Sequence, residues 1–125
     1  MAYPTTFRYT KDHEWVEIEG KRARIGITDH AQAELGDVVF VELPSVGAVV
    51  KKGGQLGTVE SVKAVSDVFA PVGGKVVEVN KELETSPETV NQSPHADGWL
   101  AVIEMSDPAD ANDLMDAAAY QALIG

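Results

Sequence analysis

Lys63 is the residue of this sequence best placed to carry chemistry. It stands between two strand-like runs, residues 55–59 and 65–69, so the pattern predicts that it lies at the tip of a β-hairpin. Its neighbours Val62 and Ala64 are β-branched or small and leave the ε-amine sterically open. A lysine presented in this way suits covalent attachment of a prosthetic group by an enzyme that must choose one lysine among several. The competing interpretation is an ordinary solvated turn lysine.

The elements that must position this lysine are predicted to be mostly β. Residues 15–19 alternate apolar and charged side chains, turn at Gly20-Lys21 and return over residues 22–27, which predicts a half-buried hairpin. Residues 38–43 are predicted to form a buried strand that stops at Pro44. Valine-rich runs lie at comparable spacing on both sides of Lys63, which indicates a weak internal duplication.

Short helices are predicted around these strands, including a single helical turn over residues 86–90. Asp29 can cap a short helix over residues 30–35, with Gln32 completing a capping box and Gly36 ending it. A helical tail is predicted over residues 107–124. Its apolar stripe would comprise Leu114, Met115, Ala118, Ala122 and Leu123. The fold class is therefore mostly β, with short peripheral helices and a C-terminal helix.

Length and charge limit the function further. A chain of 125 residues predicts one domain, 1–125, with the lysine hairpin at 55–70. Twice as many acidic as basic residues, 20 against 10, give a net charge of −10, which disfavours a nucleic-acid partner. No apolar run approaches the roughly 20 residues that a membrane span needs. We expect a monomer.

The first residues show neither a basic amphipathic transit pattern nor an apolar secretory core. The simplest expectation is a cytoplasmic protein, and the alternative is a mature mitochondrial form whose targeting peptide has been removed.

Composition disfavours catalytic and metal centres. Cysteine is absent, which rules out disulfides, zinc–thiolate sites and cysteine nucleophiles. His13, His30 and His95 show no short metal-ligand spacing. No nucleophile–base pair or phosphate-cradling loop stands out, so we expect no catalytic residue, no metal site and no enzymatic activity.

The motif Glu60-Ser61-Val62-Lys63-Ala64 and its flanks resemble the lipoyl-domain superfamily, in which a hairpin lysine carries lipoic acid. Four further stretches resemble one family in particular, the H proteins of the glycine cleavage system. They are residues 13–16, 26–32, 35–44 and 93–99. The resemblance covers nearly the whole chain. It implies a flattened hybrid of barrel and sandwich, built from two pseudo-symmetric sheets.

The resemblance implies that lipoic acid forms an amide with Lys63 and that the arm carries the aminomethyl group of glycine. The partners would be the pyridoxal-phosphate-dependent glycine decarboxylase (P protein), the tetrahydrofolate-dependent aminomethyltransferase (T protein) and dihydrolipoyl dehydrogenase (L protein), which reoxidises the arm. A lipoate-attaching enzyme would load the lysine. The chain would then be a carrier without catalysis of its own.

The resemblance also implies roles for residues around the lysine. In lipoyl proteins a glutamate three residues before the lysine, and glycines well to either side, help the attaching enzyme choose its target. Glu60, Gly47 and Gly74 match these positions. Turn geometry is the competing explanation for the glycines, and it suffices for Gly74.

A surface cleft is implied for the loaded arm, where carboxylates would hold the protonated amine. The matching positions are Glu14, Asp67 and Asp12. A solvated acidic rim is the competing interpretation, and it is stronger for Asp12 than for Glu14.

The chain departs from the family pattern at three positions that bear on partner contacts or on the lining of the cleft. His95 stands where tyrosine is common, Glu34 where some members have histidine, and Glu104 where lysine is frequent.

Alternatives to the glycine cleavage function remain open. A biotinyl carrier domain shares the fold but usually has methionine on both sides of its lysine, where this chain has Val62 and Ala64. A lipoyl domain of a 2-oxo acid dehydrogenase usually has aspartate before the lysine. Two further hypotheses remain. One is an H-like protein that relays lipoyl groups to other proteins, and the other is an interaction module with an unmodified lysine.

Overall fold

The computed structural model describes residues 3–125, so residues 1 and 2 of the predicted domain lie outside it. Over these residues the chain forms nine strands, four α-helices and one 3-10 helix. In chain order they are β1 Arg8–Tyr9, β2 Glu14–Glu19, β3 Arg22–Ile27, α1 Asp29–Leu35, β4 Val38–Glu42, β5 Val49–Val50, β6 Gln55–Ser61, β7 Val65–Phe69, β8 Gly74–Val79, α2 Glu82–Thr85, α3 Thr89–Gln92, β9 Ala101–Met105, the 3-10 helix Pro108–Ala111 and α4 Ala117–Ile124.

The strands form two antiparallel sheets. The larger has the order β1-β2-β3-β9-β8-β5, and the smaller has the order β4-β6-β7. The predicted mostly-β class with short helices is confirmed, and the two sheets do not close into a barrel within residues 3–125. The lysine hairpin, formed by β6 and β7, belongs to the smaller sheet.

The alternation of apolar and polar residues along the strands determines which side chains lie in the hydrophobic core. In β3 the side chains of Ala23 and Ile25 are fully buried and pack with Val16 of β2 and Val76 of β8. A second cluster lies beneath the smaller sheet, where Val59 and Val68 pack against α2, α3 and the end of β3. Burial of each of these valine and isoleucine side chains stabilises the sheets by roughly 1.5–3 kcal/mol.

An aromatic cluster joins the two ends of the chain. Its buried aromatic members are Phe7, Tyr9, Trp15 and Tyr120, and Ala117 packs among them. Trp15 stacks on Phe7, with ring centroids 4.5 Å apart, and Tyr9 stacks on Tyr120 at 4.9 Å. Helix α4 is therefore held against the strand that leads into the cleft described below.

Helix α1 forms as the sequence predicts, but its cap lies one residue earlier. The Oγ1 of Thr28, rather than Asp29, accepts a hydrogen bond from the N–H of Ala31 at 3.2 Å. Asp29 lies in the first turn, where its carboxylate interacts favourably with the positive end of the helix dipole. Gly36 ends the helix with φ 82°, as predicted.

The C-terminal tail differs from the continuous stripe that the sequence predicts. Asp107 caps the 3-10 helix and Asp116 caps α4, so each aspartate begins a separate helix. Between the two helices Met115 pairs with Tyr9 through two backbone hydrogen bonds of 2.8 and 2.9 Å.

The apolar stripe of the tail is a wrong prediction for the same reason. Ala118, Ala122 and Leu123 are exposed, and Ala117 and Tyr120 are the buried residues of α4. Because Met115 forms a bridge to β1, the helical period restarts after it and turns a different face of α4 inward.

Candidate functional site

Lys63 lies at the bend between β6 and β7. Glu60 pairs with Val65 in the last register of the two strands, and residues 62–64 make the bend. The Lys63 side chain is exposed, and the neighbouring Val62 and Val65 are 70% and 66% exposed. The predicted hairpin and the open setting of the lysine are therefore present in the structure.

Ser61 shapes this bend, a contribution that the sequence analysis missed. Its buried Oγ accepts hydrogen bonds from the backbone N–H groups of Ala64 at 3.0 Å and of Lys63 at 3.3 Å. The N–H of Ser61 donates to the carbonyl of Ala64 at 2.8 Å. Serine makes such local turns readily. A serine two residues before the candidate lysine was the signal that could have revealed this role.

We expect Ser61→Ala to loosen the bend, because two backbone donors lose their acceptor. Unfolding should become easier by about 1 kcal/mol, and lysine attachment should slow by a few-fold as the tip samples other conformations. Urea unfolding and the rate of enzymatic lipoylation measure the two effects. Ser66→Ala, on the adjoining strand and outside the bend, is the control; equal effects from both substitutions would contradict a specific role for Ser61.

The hairpin tip is tied to the end of α1. The N–H of Val62 donates to the carbonyl of Asp37 at 3.0 Å. A Cβ built on Gly36 would lie 3.4 Å from Cε of Lys63, so the lysine stem passes beside the end of the helix. These contacts place the tip at the edge of a cleft that α1 helps to form.

The cleft lies beside the hairpin and has a volume of about 330 Å³. The three candidate carboxylates Asp12, Glu14 and Asp67 all line it, and Glu34 of α1 joins them. Its other lining residues are His13, Ile27, Ala31, Leu35, Val59, Ala64, Val65, Ser66 and Val68. The walls are thus largely apolar with carboxylates among them, a combination that suits an apolar chain ending in a cation.

Glu14 is not part of a solvated rim. It is only 2% exposed, and its carboxylate accepts hydrogen bonds from the Thr10 hydroxyl at 2.6 Å and the Phe69 N–H at 3.2 Å. Burial raises the pKa of Glu14 above its ordinary value, and the two hydrogen bonds oppose that rise. A cation placed beside this carboxylate would favour its ionised form.

Asp67 and Asp12 are exposed carboxylates at the mouth of the cleft. Asp67 accepts a hydrogen bond from the Gln55 side chain at 3.1 Å, which orients it across β6 and β7. At Asp12 the backbone N–H donates to Thr10 Oγ1 at 3.2 Å. The structure therefore brings together all three residues predicted for the cleft, one buried and two at the surface.

The residues predicted for recognition by an attaching enzyme do not form one cluster. Glu60 is exposed on β6 beside the bend, in a cross-strand row with Phe40 and Val65. Gly47 is exposed in the loop before β5 and has φ 95°. Gly74 begins β8, where a Cβ would overlap the carbonyl oxygen of Glu104. Backbone geometry thus requires glycine at both positions.

The three histidines have structural partners. His30 pairs with Glu34 one turn along α1, and His95 Nε2 accepts from the N–H of Asp29 at 3.0 Å. His13 has φ 71°, and its Nδ1 is 2.8 Å from the hydroxyl of Tyr120. Between residues 3 and 125 no three or more acidic or histidine side chains are arranged to hold a metal ion.

Burial lowers the pKa of His13 below its ordinary value of 6.5, and the nearby His30 adds to this effect. The unfolded chain therefore binds more protons than the folded chain as the pH falls through about 6.5, so this group makes the folded state less stable there. We expect His13→Asn to reduce the dependence of the free energy of unfolding on pH between about 7.5 and about 5.5. Asparagine tolerates the positive φ.

Urea unfolding of both proteins across this pH range makes the comparison. Glu14, whose pKa is raised, contributes with the opposite sign at lower pH, but it is common to both proteins and cancels in the difference. Identical pH dependence in the two proteins would show that His13 titrates as it does in the unfolded chain.

An exposed lysine at the tip of a hairpin, carried by two antiparallel sheets, is the arrangement expected of a carrier domain of the lipoyl type. Among the described residues, no helix has the length and apolar character needed to cross a membrane. Comparison with known proteins is consistent with this class and identifies the family within it.

The family model described as "Glycine cleavage H-protein" matches residues 7–125. The glycine cleavage system H protein of Koribacter versatilis is 60% identical over 121 residues, which cover 97% of this chain and 93% of that protein. The H protein of Brevibacillus brevis is 56% identical over 124 residues, covering 99% and 98%. A crystal structure of the H protein from Mycobacterium marinum superposes with a TM-score of 0.91 at 40% identity, over 98% of this chain and 99% of that chain. The chain belongs to the glycine cleavage H-protein family.

Proposed function

We propose that the chain is a lipoyl carrier that moves the aminomethyl group of glycine between the enzymes of the glycine cleavage system. Its partners would be the glycine decarboxylase, the aminomethyltransferase and dihydrolipoyl dehydrogenase, and it would contribute no catalytic residue. The observation that carries this proposal is the exposed Lys63 at the edge of an acidic cleft. Membership of the family supports it.

Lipoic acid would form an amide with the ε-amine of Lys63. The group supplies a disulfide that can be reduced and that can accept the aminomethyl group. The tether raises the local concentration of this disulfide and of its cargo for the partner enzymes. The residues present fit this group. Lys63 is open to an attaching enzyme, Val62 and Ala64 do not screen it, and the cleft begins at Ala64.

Within the cleft, Glu14 and Asp67 would hold the protonated amine of the cargo, with Asp12 at the rim. Glu14 gives the strongest contact because water is excluded from its carboxylate, and charge-assisted hydrogen bonds gain strength in such surroundings. The apolar walls formed by Ile27, Leu35 and other residues keep water away from a cargo that hydrolyses readily.

Glu60 would be the main contact of the lipoate-attaching enzyme, since its exposed carboxylate stands on the same hairpin as Lys63. Gly47 and Gly74 would act through the backbone shape that they permit. We expect Glu60→Gln to slow enzymatic attachment about tenfold or more, the effect of losing one charged contact. The fold should not change, because Glu60 is exposed.

Attachment rates with a purified lipoate-attaching enzyme measure this effect. Glu78→Gln neutralises an exposed carboxylate on the other sheet and serves as the control. Equal rates for Glu60→Gln and the control would remove Glu60 from the recognition surface.

The proposed unit is a single carrier domain over 1–125, monomeric and cytoplasmic. The organisms of the named relatives support that location. Lipoylated and unlipoylated protein should be compared in glycine-dependent exchange of carbon dioxide with purified glycine decarboxylase. The lipoylated form should support exchange and the unlipoylated form should not. Exchange that is independent of lipoylation would contradict the carrier function.

A further inference from the structure

The hydroxyl of Tyr120 connects the C-terminal helix with two parts of the chain that build the cleft. It is 2.8 Å from Nδ1 of His13 and 2.8 Å from Oγ1 of Thr28. Tyr120 and Thr28 are both fully buried. The residues that meet here are 107 and 92 positions apart in the sequence, so the contact depends on how α4 docks.

The hydrogens of this chain of contacts can be assigned from burial. Thr28 Oγ1 already accepts from the N–H of Ala31, and its own buried hydrogen needs an acceptor, which the Tyr120 oxygen provides. The Tyr120 hydrogen is then directed to Nδ1 of His13. That nitrogen must be unprotonated, so the imidazole is neutral and its hydrogen is on Nε2.

One end of this chain of hydrogen bonds lies in the lining of the cleft, and the other end caps a helix that contributes to that lining. His13 itself lines the cleft and lies between Asp12 and Glu14, which also line it. Its φ of 71° is uncommon for a residue other than glycine, and it sets the direction in which the backbone enters β2. Thr28 caps α1, the helix that supplies Glu34 and Leu35 to the opposite wall.

We propose that Tyr120 is a positioning residue of the cleft. Its hydroxyl fixes the neutral Nε2–H form of His13 and, through Thr28, the first turn of α1. By this means the docked C-terminal helix sets the distance between the two walls that enclose the cargo. The consequence for the cargo rests on the carrier function proposed above, but the state of His13 does not.

The surroundings of the imidazole bear on its ionisation. His30 lies with its ring centroid 4.8 Å from that of His13, and Glu34 pairs with His30 on the same helix. Asp12 adjoins His13 in its own segment, and Tyr120 faces it from α4. The Tyr120 hydroxyl is the group at hydrogen-bond distance from Nδ1 of His13, so this contact decides which ring nitrogen keeps its hydrogen.

Tyr120→Phe tests the proposal, and Tyr9→Phe is its matched control. The two tyrosines stack on each other and both are fully buried. The hydroxyl of Tyr9, however, donates to the carbonyl of Pro4 at 2.7 Å and has no contact with His13. Both substitutions therefore remove one hydroxyl from the same aromatic cluster, and only Tyr120→Phe removes a hydroxyl that contacts His13 and Thr28.

Two measurements separate positioning from general stability. Nitrogen NMR of the imidazoles in unmodified protein should show the Nε2–H form of His13 in the wild type and in Tyr9→Phe, and a mixture of both neutral forms in Tyr120→Phe. In lipoylated protein loaded with the aminomethyl group, Tyr120→Phe should shorten the lifetime of the cargo roughly threefold to tenfold, as for one lost hydrogen bond, and Tyr9→Phe should not.

An unchanged His13 spectrum in Tyr120→Phe, or equal shortening of the lifetime by both substitutions, would overturn the proposal. If Tyr120→Phe does not fold, His13→Asn removes the other end of the contact and should shorten the lifetime in the same way; a wild-type lifetime there would also overturn it. If the wild type itself holds no cargo, the carrier function fails, and the NMR comparison still decides the role of Tyr120.

Discussion

Lys63→Arg is expected to abolish lipoylation and, with it, all glycine-dependent exchange of carbon dioxide. Arginine keeps the positive charge and the length of the side chain, but its guanidinium stays protonated and cannot serve as the acylated amine. The side chain is exposed, and the bend is held by Ser61 and the backbone of Ala64, so the fold should be unaffected. Intact mass after co-expression with a lipoate-attaching enzyme, followed by the exchange assay, measures both losses.

Lys75→Arg is the matched control for this substitution. Lys75 is also an exposed lysine, but it lies within strand β8 of the larger sheet and not in a bend. This variant should be lipoylated and fully active. Residual adduct on Lys63→Arg, or loss of the adduct in Lys75→Arg, would assign the attachment to a different lysine.

Glu14→Gln is expected to shorten the lifetime of the aminomethyl cargo by about tenfold to a hundredfold, the range for loss of one charge-assisted hydrogen bond. Glutamine retains the size of the side chain and one oxygen to accept from Thr10, but it carries no charge for the amine of the cargo. The buried setting of Glu14 makes this contact stronger than those at the exposed Asp67 and Asp12. The rate at which loaded protein loses its cargo in the absence of partner enzymes measures the effect.

The control for Glu14→Gln is Glu19→Gln. Glu19 lies at the other end of β2 and is exposed, so its neutralisation changes the net charge equally without reaching the cleft. Lipoylation should be normal in both variants. An unchanged lifetime in Glu14→Gln would remove the carboxylate from the binding of the amine and leave it a structural role toward Thr10 and Phe69.

Local patterns in the sequence predict the parts of the fold that depend on neighbours in the chain. Residues 15–19 and 22–27 alternate apolar and polar side chains, and they form the hairpin of β2 and β3 with the turn at Gly20. The candidate lysine is predicted in the same way, because the strand signals on each side leave room for only a tight bend.

The tail shows where local pattern is insufficient. Leu114 and Met115 belong to the apolar stripe that the sequence predicts, but Met115 pairs with the backbone of Tyr9 and interrupts the helix. That pairing joins residues from opposite ends of the chain. Its stability comes from the aromatic cluster around Tyr9 and Tyr120, which no window of neighbouring residues contains.

The sequence predicts only part of the cleft, because the rest depends on contacts between residues that are distant in the chain. Glu14, Asp67 and Asp12 follow from the family pattern, and the structure brings them to one cavity. The burial of Glu14 and its hydrogen bond to the N–H of Phe69 arise only when β2 meets β7, since those residues are 55 positions apart. The physical chemistry of the site therefore depends on tertiary contacts, even though its residues can be named from the sequence.

The position of the prosthetic group on protein isolated from its own source decides whether Lys63 is the carrier lysine. Peptide mapping by mass spectrometry should find a lipoyl adduct on the peptide that contains Lys63 and on no other lysine. A lipoyl group on any other residue, a biotinyl adduct, or a wholly unmodified native protein would rule out Lys63 as the lipoyl carrier.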